Sequence, residues 1–186
     1  MTSGAPRFKC WGIGLGRTGT TTLCEAFRTL GYRNVMHNPV FEALANADAG
    51  ADNGVLIFYK YLDYKFAGSR FILTHRDIDS WLESTEFINE QHPVNSLADD
   101  IPIMRRMLVY ETVPFEREKY RAAYERHYAD VRRYFRDRPH DLLDMNILAG
   151  EGWEKLCPFL EVPTPDVAFP HLHRRAPTLA AATISA

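Results

Sequence analysis

The chain has 186 residues, 46% of them apolar and 12% aromatic, with 22 Lys and Arg against 24 Asp and Glu for a formal net charge of −2. About 100–200 residues per domain is the usual size, so one domain with a real core is expected, and a disordered chain is excluded by composition. The balance of charge gives no basic field of the kind a nucleic-acid binder carries, so any anionic ligand must be held by individually placed residues.

In chain order, Met1–Pro6 is short and polar, and residues 1–7 are expected to be a flexible start. Phe8–Ile13 mixes aromatic, β-branched and small residues and runs into Gly14, Gly16 and Gly19, the pattern of a buried strand ending in a glycine-rich turn. Leu23, Ala26, Phe27 and Leu30 follow at helical spacing, and Gly31 supplies the stop. Arg33–His37 reads as a short second strand closed by Asn38-Pro39, and Val55–Phe66 as a helix. Phe71–Thr74 is a compact apolar strand, followed by the polar turn His75-Arg76-Asp77 and a helix containing Trp81 and Leu82. Residues 97–113 and 116–137 have helix length; in the second, Tyr120, Tyr124, His127, Val131 and Tyr134 share one face. Leu142–Ile147 reads as a last strand and Trp153, Leu156, Cys157 and Leu160 as a closing helix. Beyond it Pro163, Pro165 and Pro170 forbid regular structure.

Strands alternating with helices imply an α/β fold, a three-layer domain with a mostly parallel central sheet flanked by helices. It should occupy residues 8–172 as a single unit, with 173–186 a mobile tail. In such sheets ligands sit at the carboxyl ends of the strands, where both polar turns lie. The three cysteines, Cys10, Cys24 and Cys157, are far apart and form no C-x-x-C pair, which fits a reducing, cytoplasmic location. No apolar run reaches the roughly 18 residues of a membrane span.

Gly14-Leu15-Gly16-Arg17-Thr18-Gly19 satisfies the dinucleotide fingerprint G-x-G-x-x-G after a strand and before a helix. That fingerprint also needs an acidic residue at the end of the second strand to hold a ribose hydroxyl, and Asn34-Val35-Met36-His37 has none. The same glycines have Walker A spacing, but Thr20-Thr21 stands where Lys-Ser/Thr is required. What remains is an oxyanion cradle: backbone N–H groups, a helix N-terminus, the hydroxyls of Thr18, Thr20, Thr21 and Thr22, and the Arg17 guanidinium.

Gly16-Arg17-Thr18-Gly19-Thr20-Thr21 resembles the 5′-phosphosulfate loop of the sulfotransferases. Arg76, at the end of a strand, and Ser84, eight residues on, resemble that family's 3′-phosphate site. Phe71–Asp77, Gly150–Leu160 and Phe169–Leu172 are similar to a short, largely bacterial and fungal branch of it, with His173 where Asn is expected. The resemblance spans roughly residues 8–172 and implies a P-loop-type fold and transfer of a sulfuryl group from 3′-phosphoadenosine 5′-phosphosulfate to a hydroxyl or amine of a small-molecule or glycan acceptor.

By that resemblance Gly16, Arg17, Thr18, Gly19, Thr20 and Thr21 hold the 5′ end of the donor, Arg76 and Ser84 hold the 3′-phosphate, and no metal is required. Arg17 serves the transferring group. The general base is left between His37, with the better intrinsic pKa for the task, and Asp52, nearer in chain order to the family's base segment; Asp48 is a third candidate. Trp81, Phe87, Met104, Met107 and Tyr110 are candidates for an apolar acceptor pocket, or for plain core. Two functions compete with the transferase: a P-loop kinase or NTPase, and a non-catalytic nucleotide-binding relative.

Overall fold

The structure, a computed structural model, describes residues 7–94 and 100–171; residues 1–6 of the expected flexible start at 1–7, the segment 95–99, and residue 172 with the expected tail 173–186 lie outside it. The strands are β1 (Cys10–Gly12), β2 (Val35–His37), β3 (Ala49–Ala51), β4 (Arg70–Thr74) and β5 (Leu142–Met145). The α-helices are α1 (Thr20–Thr29), α2 (Asn53–Leu56), α3 (Tyr59–Lys65), α4 (Ile78–Gln91), α5 (Asp100–Tyr110), α6 (Arg117–Phe135) and α7 (Trp153–Leu160). All pairings are parallel, in the order β2-β3-β1-β4-β5.

Both faces of the sheet are covered, so the central strands are apolar on successive residues. Trp11, Ile13, Phe71 and Leu73 point into one core with Leu62 of α3, Trp81 of α4 and Tyr120, Val131 and Phe135 of α6. Cys10, Ala49, Ala51, Ile72 and Met145 point into the other, with Leu23 and Phe27 of α1 and Leu156 and Leu160 of α7. Three layers result, as expected from the alternation of elements.

The structure differs from expectation in four places. Ala49–Ala51, assigned to no element from the sequence, is a strand, and it sits between β1 and β2. Its residues are small because the layers close tightly there: a Cβ on Gly12 would lie 2.6 Å from Ala51 Cβ and 2.7 Å from a Leu23 methyl. The helix expected over Val55–Phe66 is broken into α2 and α3 at Phe58, whose φ of −108° and ψ of 12° leave the helical region. The first strand is shorter than Phe8–Ile13 by segment, although Arg70 N still bonds Lys9 O and Ile13 N bonds Ile72 O, so its ladder extends beyond Cys10–Gly12. The last strand likewise stops at Met145 and hands over to a 3-10 turn.

Candidate active site

The carboxyl ends of β1, β3 and β4, together with β2, open into one cleft of about 760 Å³. Its floor is the turn between β1 and α1. Gly14 is required by close approach, since a Cβ there would fall 2.1 Å from Thr74 Oγ1. Gly19 caps α1 at φ 96°, a left-handed conformation that glycine adopts without penalty, and so starts the helix at the cleft, which Gly19, Thr20, Thr21 and Thr22 line. Arg17 is also left-handed, φ 73°, which turns an exposed guanidinium outward from the turn. Trp81 Nε1 donates to Gly16 O at 2.9 Å and Asn53 Oδ1 accepts from Gly16 N at 3.3 Å, pinning the loop from both sides.

Gly16, Arg17, Gly19, Thr20, Thr21, Arg76 and Ser84 all line the cleft. Thr18 does not: its side chain is fully buried, donating to Leu15 O at 2.6 Å and lying 2.7 Å from Thr74 Oγ1. The expected ligand hydroxyl is therefore a structural one, and only its backbone remains available. Arg76 and Ser84 are brought to the same wall, with different immediate partners from those the spacing suggests. Arg76 donates to Ser80 Oγ through Nε (2.9 Å) and Nη2 (2.6 Å), while Ser84 Oγ accepts from Arg17 Nε at 3.2 Å. Arg76 Nη1 lies 3.4 Å from Arg17 O. Ser80 is a site residue that sequence reasoning missed; its place four residues after Arg76 on a helix start was the available signal.

The two guanidiniums are thus neighbours. Burial and the Arg17 charge push Arg76 below the usual arginine value, with Asp77 and Glu83 pulling the other way. Among the described residues neither Arg17 nor Arg76 enters a salt bridge; both are engaged by hydroxyl or carbonyl oxygens. Guanidiniums engaged in this way keep the capacity to pair with an anion.

The two base candidates meet in the same cleft. His37 Nε2 stands 3.3 Å from Asp52 Oδ2, 3.2 Å from Thr21 Oγ1 and 3.4 Å from Thr20 Oγ1. Thr20 donates to the same Asp52 oxygen at 2.5 Å, and Asn53 N donates to the other at 2.7 Å. Burial pushes the Asp52 carboxyl up, but the His37 and Thr20 hydrogen bonds, the His37 charge and the Asn53 amide outweigh it and hold Asp52 below the usual carboxylate value. Asp52 is buried and His37 largely open, with side chains 12% and 39% exposed, so the imidazole is the member a ligand reaches first. Asp52 has φ 87° and ψ −176°, a region nearly reserved for glycine and worth of order 1–3 kcal/mol in strain. Asp48 lies at the other end of β3, accepting from Asn34 N at 3.1 Å, away from this group.

Helix α6 reaches the site from behind. Tyr124 OH donates to Arg76 O at 2.5 Å, Tyr128 OH to Thr74 O at 2.6 Å, and His127 Nε2 to Ile13 O at 2.7 Å. Three strand-end carbonyls are satisfied by one helix, a role the helical periodicity of its aromatic residues left invisible. Of the pocket residues expected, Phe87 and Tyr110 line the cleft, Trp81 lies buried beneath it, Met104 lines a separate apolar groove with Phe41 and Phe58, and Met107 is on the surface.

Comparison with known proteins gives three likenesses. A family model described as Sulfotransferase domain matches residues 9–43 and 38–177. The Ava biosynthesis cluster protein M of Aspergillus versicolor is 26% identical over 208 residues, covering 86% of this chain and 78% of that protein. The crystal structure of a sulfotransferase from Alicyclobacillus acidocaldarius is similar with a TM-score of 0.55 at 12% identity, over 92% of this chain and 87% of that one, a likeness of fold.

Proposed function

The chain belongs to the sulfotransferase domain family, and on that premise we propose that it transfers a sulfuryl group from 3′-phosphoadenosine 5′-phosphosulfate to a hydroxyl or amine of a small-molecule or glycan acceptor. The observation that carries the donor assignment is the pairing of Arg17 with Arg76 across one wall of the cleft, each held by neutral partners, above the N-terminus of α1. The α1 amides, Thr20 and Thr21 suit the 5′-phosphate. Arg76, with Ser80 and Ser84, suits the 3′-phosphate that separates this donor from ATP.

Transfer is an in-line displacement: the bond from sulfur to the acceptor oxygen or nitrogen forms as the bond from sulfur to the 5′-phosphate oxygen breaks. Negative charge grows on that leaving oxygen, where Arg17 and the loop amides stabilise it; this is catalysis by positioning and electrostatics. His37 takes the acceptor proton. With Nε2–H directed at Asp52, Nδ1 is the basic nitrogen, and the ionised Asp52 both orients the ring and balances the imidazolium that forms. Asp52 is then a positioning residue.

A thermal-shift panel tests the donor. The bisphosphate 3′-phosphoadenosine 5′-phosphate should raise the melting temperature more than AMP, ATP or NAD do, since a ligand that binds only the native state stabilises it. Arg76→Ala should erase the preference for the bisphosphate over AMP. Stabilisation by ATP or NAD alone defeats the assignment. One observation favours a second reading, a magnesium-dependent NTPase: Asp52 ends the strand beside β1 and accepts from a loop threonine, as the metal-binding Asp of P-loop NTPases is placed. Threonine in place of the loop lysine weighs against it, and magnesium-dependent ATP hydrolysis abolished by Asp52→Asn would establish it.

A further inference from the structure

Beyond the donor loops the cleft continues between the C-terminal half of α4, the end of α5 and the start of α6. It is lined there by Thr85, Ile88, Asn89, Arg106, Tyr110 and Tyr120. Tyr110 and Tyr120 are stacked, with ring centroids 4.0 Å apart and planes at 10°. Three buried polar atoms in this one place have no hydrogen-bond partner: Thr85 Oγ1, Asn89 Oδ1 and Tyr120 OH. Thr85 is 4% exposed and Tyr120 1%. Native proteins carry only a few orphaned buried polar groups, and three gathered at one end of a cleft require an explanation.

Their orientations are held. Asn89 Nδ2 donates to Thr85 O at 2.8 Å, which leaves Oδ1 as the free end of the amide. Arg106 Nη1 donates to Val113 O at 2.9 Å and so stays beside the two tyrosines. Burial pushes the Tyr120 hydroxyl above the usual tyrosine value, against the opposing pull of the Arg106 charge and the neighbouring Asn89 side chain, and no hydrogen bond closes between Asn89 and Tyr120. The inventory then reads as two hydroxyl donors, Thr85 and Tyr120, and one obligatory acceptor, Asn89 Oδ1.

One hydroxyl group matches that inventory completely, because it donates once and accepts twice. We infer that this end of the cleft is an acceptor subsite for a second hydroxyl, and that the acceptor is a polyhydroxylated small molecule rather than an alcohol with a hydrocarbon body. The docked hydroxyl keeps its proton, given to Asn89 Oδ1; another hydroxyl of the same molecule faces His37 and receives the sulfuryl group. The inference rests on the donor reading above and gives its acceptor a class. It also reverses the apolar pocket expected from Trp81, Phe87, Met104, Met107 and Tyr110.

Matched probes test it: cyclohexanol against cyclohexane-1,4-diol, and phenol against resorcinol and hydroquinone. Binding is measured by calorimetry and saturation-transfer NMR, with and without the bisphosphate. In each set at least one dihydroxy probe should bind about tenfold or more tighter than its monohydroxy partner, the effect of pairing a buried polar group that is otherwise left unpaired. Thr85→Val with Tyr120→Phe should remove that preference, leave bisphosphate affinity unchanged, and raise the melting temperature, since orphaned polar groups are replaced by apolar ones of similar shape. Equal binding of mono- and dihydroxy probes, absence of binding by every dihydroxy probe, or a preference that survives the double variant overturns the subsite and leaves ordered water as its occupant. Failure of the bisphosphate to bind sinks the donor reading, a separate outcome from any of these.

Discussion

Asp52 is asked for two things at once: a carboxylate that receives Thr20, Asn53 and His37, and a backbone at φ 87° that a side chain resists. The two demands separate by substitution. Asp52→Ala and Asp52→Gly both lose the carboxylate, and only glycine relaxes the backbone. The glycine variant should therefore be the more stable by about 1 kcal/mol in denaturant unfolding, after allowing for glycine's greater entropy in the unfolded chain. Both should lose most turnover, because His37 is no longer oriented. The depressed Asp52 pKa also has a sign: its contribution to stability is complete above the ordinary carboxyl value of 3.8 and is lost only as pH falls below that through the folded value. Asp52→Asn should accordingly be destabilised at pH 7, with the gap to the unsubstituted protein closing below pH 3.8. His37 and Asp52 were both legible in the sequence as candidates. Their meeting was not, because it depends on β2 and β3 lying side by side, and β3 is Ala-Gly-Ala, without a β-branched or aromatic residue to mark a strand.

Among the elements, α6 shows how a helix can be read correctly in extent and misread in purpose. The expected segment 116–137 encloses Arg117–Phe135. Its inward face is apolar by ring and polar by tip, and the tips bond the carbonyls at the ends of β1 and β4. Periodicity reports only which residues face inward; the partner of each hydroxyl or imidazole is a tertiary fact. The glycine-rich turn and Arg76 were legible because their chemistry is local to a strand end, whereas Ser80 in place of Ser84 as the immediate partner of Arg76 depends on rotamers. His127 gives a test at this scale. It is partly buried, and loss of solvent around the ring pushes its pKa below the usual 6.5 despite the bond to Ile13 O. Below pH 6.5 the unfolded chain takes up a proton that the folded protein refuses, so stability falls with pH down to the depressed folded value, by at most about 1.4 kcal/mol per pH unit. His127→Gln keeps a donor and removes the titration: in urea unfolding at pH 7.5 and pH 5, it should lose less stability between the two than the unsubstituted protein.

For the molecule as a whole, the three thiols report on integrity. Cys10, Cys24 and Cys157 are free and buried. Desolvation pushes Cys10 and Cys24 up to about 12, and raises Cys157 as well. All three sit in the core between the sheet and the layer of α1 and α7. A thiol reagent at pH 8 should leave the native protein unlabelled and modify all three sites together as it unfolds, with a midpoint that matches the loss of secondary structure; early labelling of one site would mean that this layer opens on its own. Reductant should leave the melting temperature unchanged. Among the described residues no helix is long and apolar enough to cross a membrane.

The arginine pair has a further consequence. The two guanidiniums stand together, engaged directly by hydroxyl and carbonyl dipoles and offset only from a distance by the carboxylates of Asp77 and Glu83, so the protein's own side chains relieve their repulsion only in part. An entering anion has no resident carboxylate to displace. Capture is therefore an exchange of dipoles for charge, with little rearrangement before contact, and the same anion that fills the site also relieves a tension between β1 and β4. Occupancy and fold stability are linked through those two side chains, and a simple oxyanion such as sulfate, well before any true substrate, should already make this protein harder to unfold.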